Sequence, residues 1–199
     1  EGAAHNGLAH VITFTEGNIA VAEEHYRASL SAHRKLGNLE GINGALINLG
    51  ACRYDLHDFE EAGRLWEEAA AIAARLGYRQ REAVLHNNLG SLHEARGEWA
   101  KAQEYYGRSL ALREEIGDPS GVANVLHNLG RLAGSQGRLS EARRRLSESL
   151  EIYLEIDEKA GVAHVRSSLA RILSALGRGA EARREAGLAL ELALAIDSR

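Results

Sequence analysis

The sequence predicts an all-α fold, a solenoid of five helix-turn-helix repeats. Three observations predict it. The tripeptide Asn-Leu-Gly stands at 48–50, 88–90 and 128–130, always 40 residues apart. Alanine takes the same place in every 40-residue segment, at Ala22, Ala62, Ala102, Ala142 and Ala182. The chain has a single proline, and Ala, Leu, Arg and Glu, which all favour helix, dominate it. A fixed period of this length is the mark of stacked supersecondary units.

The five units are 1–40, 41–80, 81–120, 121–160 and 161–199, read as a single array. Unit position 37 holds Gly37, Gly77, Gly117, Asp157 and Asp197, and position 17 holds Gly17, His57, Gly97, Gly137 and Gly177. Glycine after a long periodic segment signals a helix end, because it accepts the left-handed conformation. Two such signals per unit make two helices. The spacing predicts helix A over about unit positions 2–16 and helix B over about 19–36, by apolar recurrence at three and four residues. In unit 3, Leu85, Leu89 and Leu92 share one face of helix A. The alanine column marks the closest approach of the two helices. Leucine at position 9 is a core residue, and glycine at position 10 lets a neighbouring helix come near.

Composition narrows the function. A hydrophobic share of 45% with 26% charged residues is globular. The net charge of -4 argues against nucleic acid as partner. The one cysteine, Cys52, permits no internal disulfide and points to a reducing, cytoplasmic setting. No apolar run is long enough for a membrane span. The first residue is Glu1 and the chain has no methionine, so a fragment of a longer protein is expected.

Enzymatic signals fail on inspection. The glycines of "GDPSGVANVLHNLG" lack the phosphate-loop spacing and its Lys-Ser/Thr, and no Gly-x-Ser-x-Gly is present. Cys52 reads as a small packed residue. His86, His93 and His127 lack the paired spacing of a metal site. The expectation is no enzyme, no cofactor and no metal.

Leu89-Gly90, Gly97, Trp99, Ala102 and Tyr106 in unit 3, with Leu49-Gly50, Phe59, Ala62 and Trp66 in unit 2, resemble the tetratricopeptide repeat. The ordinary repeat of that family has about 34 residues; the longer period here is similar to that of Leu-Gly-Asn (Pins-type) adaptors, kinesin light chains and the sensor arms of bacterial signalling ATPases. Units 1 and 5 depart from the pattern at Ala9-His10, Leu169-Ala170 and Gly179. The resemblance implies a right-handed superhelix whose concave side is lined by helix A. It also implies that the position before Leu-Gly faces the groove.

That column is Leu8, Asn48, Asn88, Asn128 and Ser168. An amide offers donors and an acceptor, so Asn48, Asn88 and Asn128 are expected to hold the backbone of a peptide or protein segment. Arg131 and Arg171 are expected to receive an acidic group, since a guanidinium fork matches carboxylate or phosphate. Asn87, Asn124, His127 and His164 flank them. Charge rises along the chain, from -2 in each of units 1 to 3 to +2 in unit 5. The expected function is therefore a protein-interaction scaffold in signalling. A sensor or autoinhibitory arm of a larger bacterial signalling regulator, an ATPase or transcription factor, is the second reading. The third is self-association, because Leu188, Leu190, Leu192, Leu194 and Ile196 make the last helix apolar on more than one face. Residues 186–196 would then meet a second copy or a further domain.

Overall fold

The computed structural model describes residues 19–197. Among these the chain forms nine helices: α1 (Ile19–Lys35), α2 (Leu39–Asp55), α3 (Phe59–Leu76), α4 (Arg79–Ala95), α5 (Trp99–Glu115), α6 (Pro119–Ser135), α7 (Leu139–Glu155), α8 (Lys159–Ala175) and α9 (Gly179–Asp197). They alternate as the sequence predicts. Helix A of units 2 to 5 is α2, α4, α6 and α8, and helix B of units 1 to 5 is α1, α3, α5, α7 and α9. The fold is all-α, built from helical pairs of solenoid type.

Helix ends follow the glycine columns. Gly37, Gly77, Gly97, Gly117, Gly137 and Gly177 all have positive φ, between 63° and 76°. His57 and Asp157 adopt the same conformation in those columns, at φ 60° and 53°. The turns close by bonds such as Asn38 N to His33 O at 3.0 Å, which satisfy carbonyls left over at the helix end. Each helix A starts about three residues earlier than the periodicity suggests. The reason is capping: Asn38 and Asp118 accept from the Gly41 and Gly121 N–H at 3.0 and 2.9 Å, and Pro119 takes the first helical position. In the "GDPSG" segment, Asp118 is therefore the cap and Pro119 to Gly121 are the first turn of α6.

The chain divides into two compact units, Glu1–Tyr105 and Tyr106–Arg199. In the first, Leu46, Trp66, Leu85 and Leu89 anchor the core. In the second, Leu146, Tyr153, Val165 and Leu169 do so. The alanine column is buried throughout, from 0% exposure at Ala22, Ala62, Ala102 and Ala142 to 8% at Ala182.

Size is matched between columns. A Cβ on Gly130 would lie 2.7 Å from Leu146 Cγ, and one on Gly161 would lie 2.6 Å from the Tyr153 ring. Gly41 and Gly121 likewise sit against His33 and Arg113. Thus a large residue at position 33 meets glycine at position 1 of the next repeat. Once the order is reversed: Ala73 is fully buried and position 1 is Arg81, whose guanidinium lies 4.8 Å from the Tyr78 ring centroid. A second pair of columns carries a hydrogen bond across the helix A–helix B seam. Asn43 Nδ2 donates to Ala69 O at 2.7 Å, while in the fourth repeat Ser149 Oγ donates to Ala123 O at 2.7 Å. Both repeats satisfy a buried polar group, with the donor on opposite helices.

Candidate functional site

On the A helices, unit positions 4 and 11 are mostly exposed, and positions 7 and 8 between them are mostly half-buried. In the Tyr106–Arg199 unit this surface is basic for a simple reason. Neither α6 nor α8 contains a single acidic residue, whereas both carry arginine and histidine. Asn128 and Arg131 stand one turn apart on α6, and Arg131 donates to Asn128 Oδ1 at 3.5 Å. His127 points to α8, where its Nε2 lies 2.8 Å from Ser168 Oγ. Arg171 donates to the same Ser168 oxygen at 3.3 Å. Ser168 is only 5% exposed, so its hydroxyl is fixed between the two. Accepting from Arg171, it has its own proton to give to a neutral His127.

The charge state agrees with that direction. Burial, and then the fields of Arg131, His164 and Arg171, push the His127 imidazole down from 6.5 to about 4. Its folded value lies below its unfolded value, so the neutral ring stabilises the fold above pH 6.5 and that contribution is lost as pH falls toward 4. Denaturant midpoints measured between those values should therefore fall with acidification, and His127→Gln should flatten the slope. An unchanged slope in the variant would assign the acid sensitivity to other groups.

His164 is exposed one turn before Ser168. Asn124 is exposed too, one turn before Asn128 on α6. The structure therefore brings His127, Asn128, Arg131, Ser168 and Arg171 into contact chains. Ser168, in the asparagine column but carrying no amide, was missed as a contributor by sequence reasoning; its column was the signal.

In the Glu1–Tyr105 unit, Asn48, Asn87 and Asn88 are half-buried on α2 and α4. Asn48 and Asn87 already engage other groups of the protein. Around them the face is apolar or neutral, with Ala51 and Val84 exposed. Leu8, the first member of the column, lies outside the described residues. The histidines of α4 serve packing. His93 stacks on Tyr105 at 5.1 Å between ring centroids, and its Nδ1 lies 2.9 Å from Glu98 Oε2. Among the described residues no three His, Cys, Asp or Glu side chains gather as a metal site would need. Cys52 is buried and its thiol is pushed up by that burial, the opposite of an activated nucleophile. No helix among the described residues is long and apolar enough to cross a membrane.

Comparison with known proteins extends this picture. No curated protein sequence matches the chain. Among solved structures, BtubC from P. vanneervenii aligns with TM-score 0.83 at 22% identity, over 96% of this chain and 79% of BtubC. A putative kinesin light chain with nearly identical repeats from Podosopora anserina aligns with TM-score 0.76 at 18% identity, over 96% and 93%. A Rap protein complexed with Competence and Sporulation Factor aligns with TM-score 0.79 at 15% identity, over 96% of this chain and 53% of that one. At these identities the likeness is one of fold. The tetratricopeptide-repeat family model matches residues 41–115, 80–155 and 121–195, and with most of the sequence so covered the chain belongs to the tetratricopeptide-repeat family.

Proposed function

We propose that the chain binds a peptide or protein segment on the outward faces of its A helices, with an acidic group of the ligand received by Arg131 and Arg171. The observation that carries this reading is the acid-free pair α6 and α8, which presents two arginines beside a neutral His127. The planar guanidinium fork matches a carboxylate in both charge and geometry. Asn48 and Asn88 on one unit and Asn128 on the other are the proposed partners of ligand backbone. Asn87, Asn124 and His164 flank them. The family's fold, and the Rap protein solved with a bound factor, support a non-catalytic interaction module. We place the five repeats in one array acting in a cytoplasmic signalling setting.

Panning a random peptide library against the parent and against Arg131→Ala/Arg171→Ala tests this. Acidic sequences should be enriched on the parent. Each should bind the variant about 10-fold or more weakly, the equivalent of losing a charged hydrogen bond of 1.5–3 kcal/mol. Asn88→Ala and Asn128→Ala should weaken binding of all ligands alike, because they act on backbone. Equal enrichment of acidic and basic peptides would overturn the assignment of the arginines. The reading as an arm of a larger regulator rests on no separate feature of the structure and makes the same prediction for this surface.

A further inference from the structure

Of the arginines on α6 and α8, Arg166 is partly buried and neutralised by Glu185 of α9 at 2.6 Å. Arg131 and Arg171 are both exposed and hold the same unit position one repeat apart. Neither helix supplies a carboxylate. Arg171 donates to Ser168 Oγ at 3.3 Å, and among the described residues its guanidinium meets no carboxylate. The two charges belong to one cluster, because the fields of both reach the His127 ring. Hydrogen-bond polarity matters as much as charge here. Ser168 accepts from Arg171 and gives its own proton to His127 Nε2 at 2.8 Å, so that nitrogen is used as an acceptor. Asn128 Oδ1 accepts from Arg131 at 3.5 Å. A cluster whose acceptors are engaged internally presents donors to a ligand, and guanidiniums, with five N–H groups each, are the largest of them.

Resting on the peptide-binding reading, we propose that the acidic group shared by Arg131 and Arg171 is the phosphoryl ester of a phosphorylated side chain in the bound segment. Two considerations separate it from a carboxylate. The first is charge. A phosphoryl ester carries about −1.5 to −2 at pH 7, which matches two guanidiniums with no acid on their own helices. A lone carboxylate would neutralise one guanidinium and leave the other uncompensated. The second is the number of acceptors. One bidentate fork fills the two oxygens of a carboxylate, whereas the three oxygens of a phosphoryl group can accept from forks on two neighbouring helices at once. His127 and Ser168 act as positioning groups. The neutral ring takes the Ser168 proton, and the Ser168 oxygen then holds Arg171. A phosphodiester carries a single charge, so a nucleic-acid backbone matches the pair no better than a carboxylate does.

Degenerate peptide pools that differ only at a fixed centre test the proposal. The centre is serine, glutamate, a glutamate pair or phosphoserine. Fluorescence anisotropy titrations against the parent should place the phosphoserine pool about 10-fold tighter than either glutamate pool, the worth of one added charge-assisted hydrogen bond. Arg131→Ala and Arg171→Ala alter exposed positions only, so helical circular dichroism should be unchanged. Each should bring the phosphoserine pool down to the glutamate level. A phosphoserine pool no tighter than the glutamate pair, or a phosphoserine preference that survives in both arginine variants, would overturn the phosphoryl assignment. A single-stranded oligonucleotide that binds as tightly as the phosphoserine pool would overturn it too, by making the ligand a phosphodiester. The broader reading is tested separately, by glutamate against serine. Pools with those two centres that bind alike would remove a carboxylate as ligand and leave the phosphoserine comparison untouched.

Discussion

Gly50→Ala is expected to destabilise the fold by about 1–3 kcal/mol, the range for overpacking a filled core. Alanine ordinarily improves a helix interior by about 1 kcal/mol over glycine, so the sign is informative. The reason is Trp66. A Cβ at position 50 would lie 2.5 Å from Trp66 Cδ1, and the indole has nowhere to go. It is 4% exposed, its Nε1 donates to Ile47 O at 3.1 Å, and the Tyr54 ring stands 5.5 Å away. Moving it means losing that hydrogen bond as well. The control is built into the chain. Gly44 and Gly107 are also helical, yet a Cβ there meets nothing within 4 Å. Gly44→Ala and Gly107→Ala should each stabilise by about 0.4–1 kcal/mol. Urea melts of the three variants decide the matter, and a stabilised Gly50→Ala would show that the Gly–Trp contact does not limit helix approach.

Asp118→Ala is expected to cost more than any other single capping change. One carboxylate does two jobs. Oδ1 caps α6 by accepting from Gly121 N at 2.9 Å, and Oδ2 accepts from Arg113 at 2.5 Å. Arg113 is only 9% exposed and packs against Gly121, so it cannot swing out to water. Removing a cap costs about 0.5–2 kcal/mol and stranding a buried partner about 3–5. Asp118 keeps 23% side-chain exposure, so water will reach the arginine and the combined loss should be about 2–4 kcal/mol. Asp58→Ala offers the contrast. Asp58 caps at 3.3 Å and meets Arg53 at 3.4 Å with 42% exposure, so about 1 kcal/mol is expected. Asp118→Asn should fall between, keeping the cap and losing the charge. Thermal melts giving equal losses for Asp118→Ala and Asp58→Ala would refute the double role.

The order of these effects reflects what was legible beforehand. The repeat period, the two helices per unit and the left-handed glycine columns could all be read from spacing, because helix ends are local events. Glycine at position 10 could be read as a close approach, though not that it admits Trp66 in one repeat and Leu146 in another. The pairing of position 33 with position 1 of the next repeat escaped notice. It links residues on different helices and is visible only when the helices are packed.

The candidate surface divides the same way. That Asn48, Asn88, Asn128, Arg131 and Arg171 share columns is a property of the sequence. That His127 is held neutral is not, because its state depends on burial and on the charges of Arg131, His164 and Arg171 around it. By itself, then, the sequence determined the helices, their ends and the columns, since propensity, capping and periodicity act within a few residues. Only the tertiary structure decided which column members touch and which glycines are pressed against a neighbouring side chain. Those depend on distances between helices, and no local rule sets them.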